Sequence, residues 1–68
     1  MITERLTQIR TAKQMSQREL ADTVGISQPA YQYIESGKKQ PSLFVATNIA
    51  KTLGVSLDYL VGLKDNEV

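Results

Sequence analysis

The side chains best suited to recognise another molecule are uncharged amides and a phenol near the middle of the chain. Two lysines follow them, and the set comprises Gln28, Pro29, Gln32, Tyr33, Lys38 and Lys39. A glutamine can bind an adenine edge through two hydrogen bonds, and small apolar groups can contact the methyl group of thymine. Lysines bind phosphates by charge and carry no base preference. The combination predicts contact with double-stranded DNA.

Catalytic and metal-binding residue types are scarce in this chain of 68 residues, which contains neither cysteine nor histidine. Histidine is the commonest metal ligand and the usual general base near neutral pH, and cysteine supplies thiolate ligands. The seven carboxylates form no recognisable catalytic arrangement, and the sequence has no glycine-rich phosphate loop. We therefore expect no enzyme activity, no catalytic residue, no metal and no cofactor.

Serines and glycines mark the starts and ends of the predicted helices. Ser16 and Glu19 have the spacing of a capping box, in which each side chain bonds the amide of the other residue. Further N-cap serines and terminal glycines are Ser27, Ser42, Ser56, Gly25, Gly37, Gly54 and Gly62. These signals predict an all-α fold with five helices at about residues 3–14, 17–24, 28–36, 43–53 and 57–61. In the first helix, the stripe expected to be buried is Ile2, Leu6, Ile9 and Ala12.

The second and third helices have the spacing of a helix-turn-helix, in which two short helices meet across a tight turn. Ala21 is small enough to let these helices approach closely across the turn at residues 24–27. If Tyr31 and Ile34 face the core, the opposite face of the third helix points outward, since a helix turns about 100° per residue. We call this surface the reading face, and its candidate base-reading residues are Gln28, Pro29, Gln32 and Tyr33. The N-terminal residue, Gln28, should reach deepest into a major groove.

Candidate phosphate contacts flank the reading face. Free amides at the start of the second helix, near Gln17, favour an anion, as does the helix dipole. The full candidate set is Arg10, Gln17, Arg18, Ser27, Ser36, Lys38 and Lys39. Taken separately, the lysine pair is also typical of a solvated loop. The reading face is likewise typical of an ordinary solvated helix surface.

The segments Ser-Gln-Arg-Glu-Leu-Ala, Val-Gly-Ile-Ser-Gln and Ile-Glu-Ser-Gly-Lys-Lys-Gln-Pro-Ser-Leu resemble the lambda-repressor-like, Xre/Cro-type helix-turn-helix family. Residues 49–60 are also similar to the family pattern, so the resemblance covers residues 3–62, nearly the whole chain. It implies a five-helix DNA-binding domain of a transcriptional regulator, usually a repressor that binds near-palindromic operators as a homodimer. It also implies phosphate contact by Gln17, and contact of Gln28, Gln32 and Tyr33 with the bases or the DNA backbone.

The resemblance further implies a contact between Arg10 and Glu35, because the family often pairs a first-helix arginine with the glutamate of the Ile-Glu-x-Gly segment. Two interpretations of this pair are open. It is a structural ion pair, which contributes about 0–1 kcal/mol when exposed, or Glu35 aims Arg10 at a phosphate.

Two sites depart from the family pattern. Pro29 stands where many members carry a polar base reader, so we expect only apolar contact there. Phe44 and Val45 stand where the family often has polar residues, and together with Tyr59 they are candidates for a dimer interface. These apolar residues and the net charge of only +1 also favour an alternative, a protein-interaction module or antitoxin with a protein partner.

The chain is short enough for one domain, which we expect at residues 1–63, followed by a polar tail at residues 64–68 that frays. No apolar stretch approaches the roughly 20 residues of a membrane-spanning helix. The N-terminus does not lead into the apolar run of a signal peptide, so we expect a cytoplasmic protein. A complete minimal regulator and a fragment of a longer one both remain open.

Overall fold

The computed structural model describes residues 1–67, which form five α-helices and no strand. The helices are α1 Thr3–Ala12, α2 Gln17–Val24, α3 Gln28–Glu35, α4 Leu43–Leu53 and α5 Leu57–Val61. The all-α, five-helix prediction is confirmed. Helix α1 ends earlier than expected, because Gln14 takes a left-handed φ of 59° that a helix cannot contain. Val68, in the predicted tail, lies outside the described residues.

Serine side chains begin four of these helices, as the sequence predicts. The capping box of α2 is complete, with the Glu19 amide 3.0 Å from Ser16 Oγ and the Ser16 amide 2.9 Å from Glu19 Oε1. In α3, α4 and α5 the cap hydroxyl accepts from an amide three residues further on, and these caps are Ser27, Ser42 and Ser56. Each cap satisfies an amide that would otherwise lack a partner inside its helix.

All five helices contribute apolar side chains to one core. Its buried members are Leu6, Ile9, Leu20, Ala21, Val24, Tyr31, Ile34, Ile49, Ala50, Leu53, Val55 and Leu60. Tyr31 and Ile34 therefore face inward, as predicted. The expectation for Ala12 is wrong: it is exposed, because α1 ends there and the chain turns away at Gln14. Met15, beyond that turn, packs against the core.

The turn between α2 and α3 brings these helices together at a buried alanine. Ala21 is fully buried, and α2 packs against both α3 and α4. Gly25 ends α2 in the left-handed region, at φ 81°, and the next amide, of Ile26, bonds the carbonyl of Ala21 at 3.0 Å. Helix α1 supports α3 from another side. Helix α3 is thus packed on its inner face, while its other face remains accessible.

Residues 64–67 of the predicted tail make backbone contacts with the domain, and fraying of the tail stays a prediction. Arg5 Nη1 donates to the carbonyl oxygens of Tyr59 at 2.8 Å and Lys64 at 2.7 Å. The Ser56 amide donates to the carbonyl of Glu67 at 2.7 Å. A polar composition gives no sign of this arrangement, because the bonds use backbone carbonyls, which every residue has.

Candidate nucleic-acid interface

The reading face is exposed along α3. Gln28, Pro29 and Gln32 are exposed, and Tyr33 has 48% of its surface accessible. The inward packing of Tyr31 and Ile34 on the same helix orients these four side chains outward. Pro29 lies in the first turn of α3, where a missing N–H costs little, and it offers only apolar contact. Contact of these residues with bases stays a prediction.

The loop after α3 places two lysines beside the reading face. Ser36 ends the helix, and Gly37 then takes a φ of 82°, which turns the chain back. The Lys39 amide donates to the carbonyl of Tyr33 at 3.1 Å, and Lys38 Nζ lies 5.9 Å from the centre of the Tyr33 ring. Both lysine side chains are exposed. Their charge is therefore available to an anion that approaches α3.

The two serines predicted to contact phosphates differ in whether their hydroxyl proton is free to form a new hydrogen bond. Ser27 Oγ accepts from the Ala30 amide at 3.2 Å, which leaves its own proton available to a phosphate. Ser36 Oγ donates to the carbonyl of Tyr33 at 3.1 Å, so its proton is already used. Ser27 is the better placed of the two for a phosphate contact.

Arg10 and Glu35 form a nearly buried ion pair that joins α1 to α3. Arg10 Nε lies 2.8 Å from Glu35 Oε2, and Nη2 lies 2.9 Å from Oε1. The side chains of Arg10 and Glu35 are only 14% and 8% exposed, so this is not an ion pair on the open surface. The third nitrogen, Nη1, donates to the carbonyl of Met15 at 2.7 Å. The arginine thereby fixes the turn after α1 as well as the end of α3.

Gln17 is attached to the same ion pair. Its Nε2 donates to Glu35 Oε1 at 3.3 Å, so Glu35 connects the first residue of α2 to the last residue of α3. Sequence reasoning singled out Gln17 and Glu35 separately and missed the contact between them. Helical periodicity gives no signal for it, because the two residues lie on different helices. The neighbouring Arg18 is exposed.

The environment of Glu35 favours its charged form. Burial pushes the pKa of this carboxyl upward, but hydrogen bonds from Arg10 and Gln17 and the nearby Tyr31 hydroxyl outweigh burial and lower the pKa to about 2. The pKa of Arg10 is raised by its hydrogen bond to Glu35. Burial is the main cause that raises the pKa of Tyr31, whose hydroxyl lies beside the carboxylate without a well-formed hydrogen bond. Arg10 and Glu35 are therefore both charged throughout the neutral range, whereas Tyr31 stays neutral.

The low pKa of Glu35 predicts a specific loss of stability in acid. An unfolded glutamate titrates near 4.5 and the folded one near 2, so its stabilising contribution is complete above 4.5 and is lost as the pH falls towards 2. We expect the free energy of unfolding to fall across this window with a slope approaching about 1.4 kcal/mol per pH unit from this residue. Urea denaturation from pH 6 to pH 2 measures it.

Glu35→Gln provides the comparison for this pH series. The variant should be less stable at pH 6 but should lose less stability in acid, because it has no proton to gain at this position. Equal pH slopes for the variant and the unaltered protein would contradict the low pKa. Glu19 contributes to the slope in both proteins, since its hydrogen bonds with the Ser16 backbone and side chain lower its pKa.

The three candidate dimer-interface residues are not equally accessible. Phe44 is 74% exposed, whereas Val45 and Tyr59 are half-buried and pack against the core. The ring of Tyr59 is further covered by the guanidinium of Arg5, 4.3 Å from its centre. Sequence reasoning missed the neighbouring Leu43, which is 75% exposed at the start of α4 and follows its cap directly. Leu43 and Phe44 together form what we call the α4 apolar pair.

Residues 1–67 provide neither a membrane span nor a cluster of metal ligands. No helix there is long and apolar enough to cross a membrane. No group of three or more acidic, histidine or cysteine side chains in that range could hold a metal ion.

The sequence matches a known family across almost all of the helical region. The model of the family described as "Helix-turn-helix" matches residues 6–60, from the first turn of α1 to the last turn of α5. The chain is 40% identical over 67 residues to the uncharacterised HTH-type transcriptional regulator YqaE of Bacillus subtilis (strain 168). That alignment covers 98% of this chain and 58% of the relative.

A relative named as a repressor and a relative named as an activator also match the chain. The chain is 39% identical over 61 residues to the cryptic phage CTXphi transcriptional repressor RstR of Vibrio cholerae serotype O1, covering 90% of the chain and 54% of RstR. It is 36% identical over 58 residues to the HTH-type transcriptional activator BcrR of Enterococcus faecalis, covering 85% of the chain and 28% of BcrR. The chain thus spans little more than half the length of YqaE and RstR. It belongs to the helix-turn-helix family, and it is similar to relatives named as HTH-type transcriptional regulators.

Proposed function

We propose that this protein binds double-stranded DNA sequence-specifically and represses transcription by occupying an operator. The observation that carries the proposal is the reading face, an exposed and uncharged helix surface beside two lysines. A nearly buried ion pair joins the helix that presents it to α1. Such a surface suits base edges in the major groove, because amides and hydroxyls can exchange hydrogen bonds there. The relative named as a repressor, RstR, supports repression. This role belongs in the cytoplasm, with residues 1–63 as the binding domain and 64–68 as its tail.

We assign the phosphate contacts to residues with a free donor. Lys38, Lys39 and Arg18 have exposed charges, and Ser27 keeps its hydroxyl proton. Gln17 keeps a second amide hydrogen beyond the one that it donates to Glu35. Arg10 receives a positioning role, because Glu35 and Met15 already engage all three of its nitrogens. Salt-dependent affinity follows from the exposed charges.

A homodimer on a near-palindromic operator completes the proposal. Two copies would place their α3 helices in successive major grooves, about 34–36 Å apart. The α4 apolar pair is the most exposed part of the candidate interface, and Val45 and Tyr59 would lie at its edge. Selection of binding sites from random duplexes tests this proposal. Two inverted half-sites about 10 base pairs apart support it, whereas a single unpaired half-site contradicts the dimer.

Gln28→Ala tests the reading face directly. We expect the affinity for the selected site to fall by about 1–3 kcal/mol, with relaxed preference at one base pair, because a bidentate base contact is lost. Repeating the selection with the variant measures both effects. The matched control is Gln8→Ala, a glutamine on α1 outside the predicted contacts, which should leave affinity and base preference unchanged. An unchanged base preference in the Gln28 variant would refute its assignment.

A second candidate function is a protein-interaction module, for which the α4 apolar pair is the specific observation. Leu43 and Phe44 are 75% and 74% exposed, and large exposed apolar residues that lie together mark interaction surfaces. Titration with mixed-sequence duplex DNA at low salt separates the two functions. Absence of binding at micromolar protein would favour the interaction module over the DNA-binding regulator.

A further inference from the structure

Tyr33 and the loop that follows α3 are packed together as one unit. The carbonyl of Tyr33 accepts hydrogen bonds from the Ser36 hydroxyl and from the Lys39 amide, each at 3.1 Å. Gly37, at φ 82°, makes the required turn, because a residue with a side chain would be strained there. The turn brings Lys38 Nζ to 5.9 Å from the centre of the Tyr33 ring. The Lys38 ammonium therefore lies within the distance at which a cation and an aromatic ring attract each other.

The location of Tyr33 favours the DNA backbone over the bases. It lies five residues after Gln28, which is about 7.5 Å along the helix axis from the end that enters the groove. It lines an open depression of about 380 Å³ together with Lys38 and Lys39. The two exposed lysines offer positive charge to a phosphate that approaches this depression.

We propose that Tyr33 is a positioning residue for Lys38, with its ring holding the ammonium where a DNA phosphate binds, and that it does not read a base through its hydroxyl. This inference rests on the proposed function and changes the role of one residue in it. A cation close to an aromatic ring is attracted by the ring's quadrupole, and a lysine held in this way loses less conformational freedom when it binds. The contribution of Tyr33 is therefore the same for all sequences and depends on salt.

Binding measurements on four variants test the inference with the selected duplex and with mixed-sequence DNA. Tyr33→Phe keeps the ring, and its affinity and base preference should equal those of the unaltered protein. Tyr33→Leu removes the ring and should weaken binding to both duplexes by about two- to fivefold. Lys38→Ala should weaken both more strongly and reduce the slope of log affinity against log salt by about 1. In the Lys38→Ala background, Tyr33→Leu should then have no further effect.

The control is Tyr33→Leu made in a protein that already carries Lys39→Ala. Lys39 contacts Tyr33 through its backbone amide and not through its charge, so this substitution removes a neighbouring lysine without removing the contact with the ring. Tyr33→Leu should keep its full effect there. Additive effects of Tyr33→Leu and Lys38→Ala would overturn the inference, as would a changed base preference in Tyr33→Phe. Both results leave the proposed function intact.

A readout without DNA separates failure of the inference from failure of the proposed function. The ring current of Tyr33 should shift the NMR signals of the Lys38 side-chain methylenes, and the shift should survive in Tyr33→Phe and vanish in Tyr33→Leu. No difference between these two variants would overturn the contact itself. Absence of DNA binding by the unaltered protein would overturn the proposed function, and with it the role of the contact in phosphate binding.

Discussion

Replacing Arg10 by methionine is expected to lower the free energy of unfolding by about 1–3 kcal/mol, because Glu35 would be left as a largely buried carboxylate without its charged partner. Glu35 is only 8% exposed, and a desolvated charge without compensation is far costlier than a lost surface contact. A domain of 68 residues has a total stability of about 3–10 kcal/mol, so this loss would remove a substantial share of it. Urea denaturation at neutral pH measures the loss.

The double variant Arg10→Met with Glu35→Leu completes the mutant cycle. Removing both charges eliminates the unpaired group, so the double variant should be more stable than Arg10→Met alone, even though it has lost more side-chain atoms capable of bonding. Asp65→Asn is the control for an exposed pair, since Asp65 is fully exposed at 3.4 Å from Arg5, and no measurable change is expected. Equal stability losses in Arg10→Met and Asp65→Asn would contradict the buried character of the Arg10–Glu35 pair.

Leu53→Ala is expected to cost about 2–5 kcal/mol of stability, because it leaves a cavity where a fully buried side chain was. Leu53 lies at the end of α4, which packs against α2 and so supports the helix-turn-helix. The size of the loss depends on how far the neighbouring helices can collapse into the cavity. Thermal denaturation followed by circular dichroism measures the change.

The same helix contains a matched control for this substitution. Leu43, the first residue of α4, is 75% exposed, so Leu43→Ala should change stability by less than about 0.5 kcal/mol. Dilute protein should be used, so that any contribution of the α4 apolar pair to a dimer does not enter the measurement. Comparable losses for both leucines would show that Leu43 is covered in solution, which would contradict its exposure.

Local sequence signals were sufficient to predict the helices and the orientation of α3. Ser16 with Glu19, and the later capping serines, act within three residues of the chain, so spacing alone reveals them. Tyr31 and Ile34 determine by helical periodicity which face of α3 is buried. The face opposite them, including Gln28 and Gln32, could therefore be identified from the sequence alone.

Contacts between distant parts of the chain could not be predicted in this way. Arg5 binds the carbonyl oxygen of Tyr59 within α5 and that of Lys64 beyond it, so it contacts a tail whose polar composition gives no sign of such bonds. Ala12 has the spacing of a buried residue, yet α1 ends at this point and leaves it exposed. Phe44 and Val45 are adjacent apolar residues, but only the packing of α4 decides that the first is exposed and the second half-buried.

The sequence by itself determined that α3 exposes amides and a phenol on one face, because periodicity and capping are properties of neighbouring residues. Only the tertiary structure decided how that surface is held. It placed Glu35 between Arg10 and Gln17, and it brought Lys38 over Tyr33 through the turn at Gly37. These contacts join side chains whose distance depends on how helices pack and loops turn. Because that packing leaves Arg10 and Glu35 only 14% and 8% exposed, removing one partner costs more than it would at the surface.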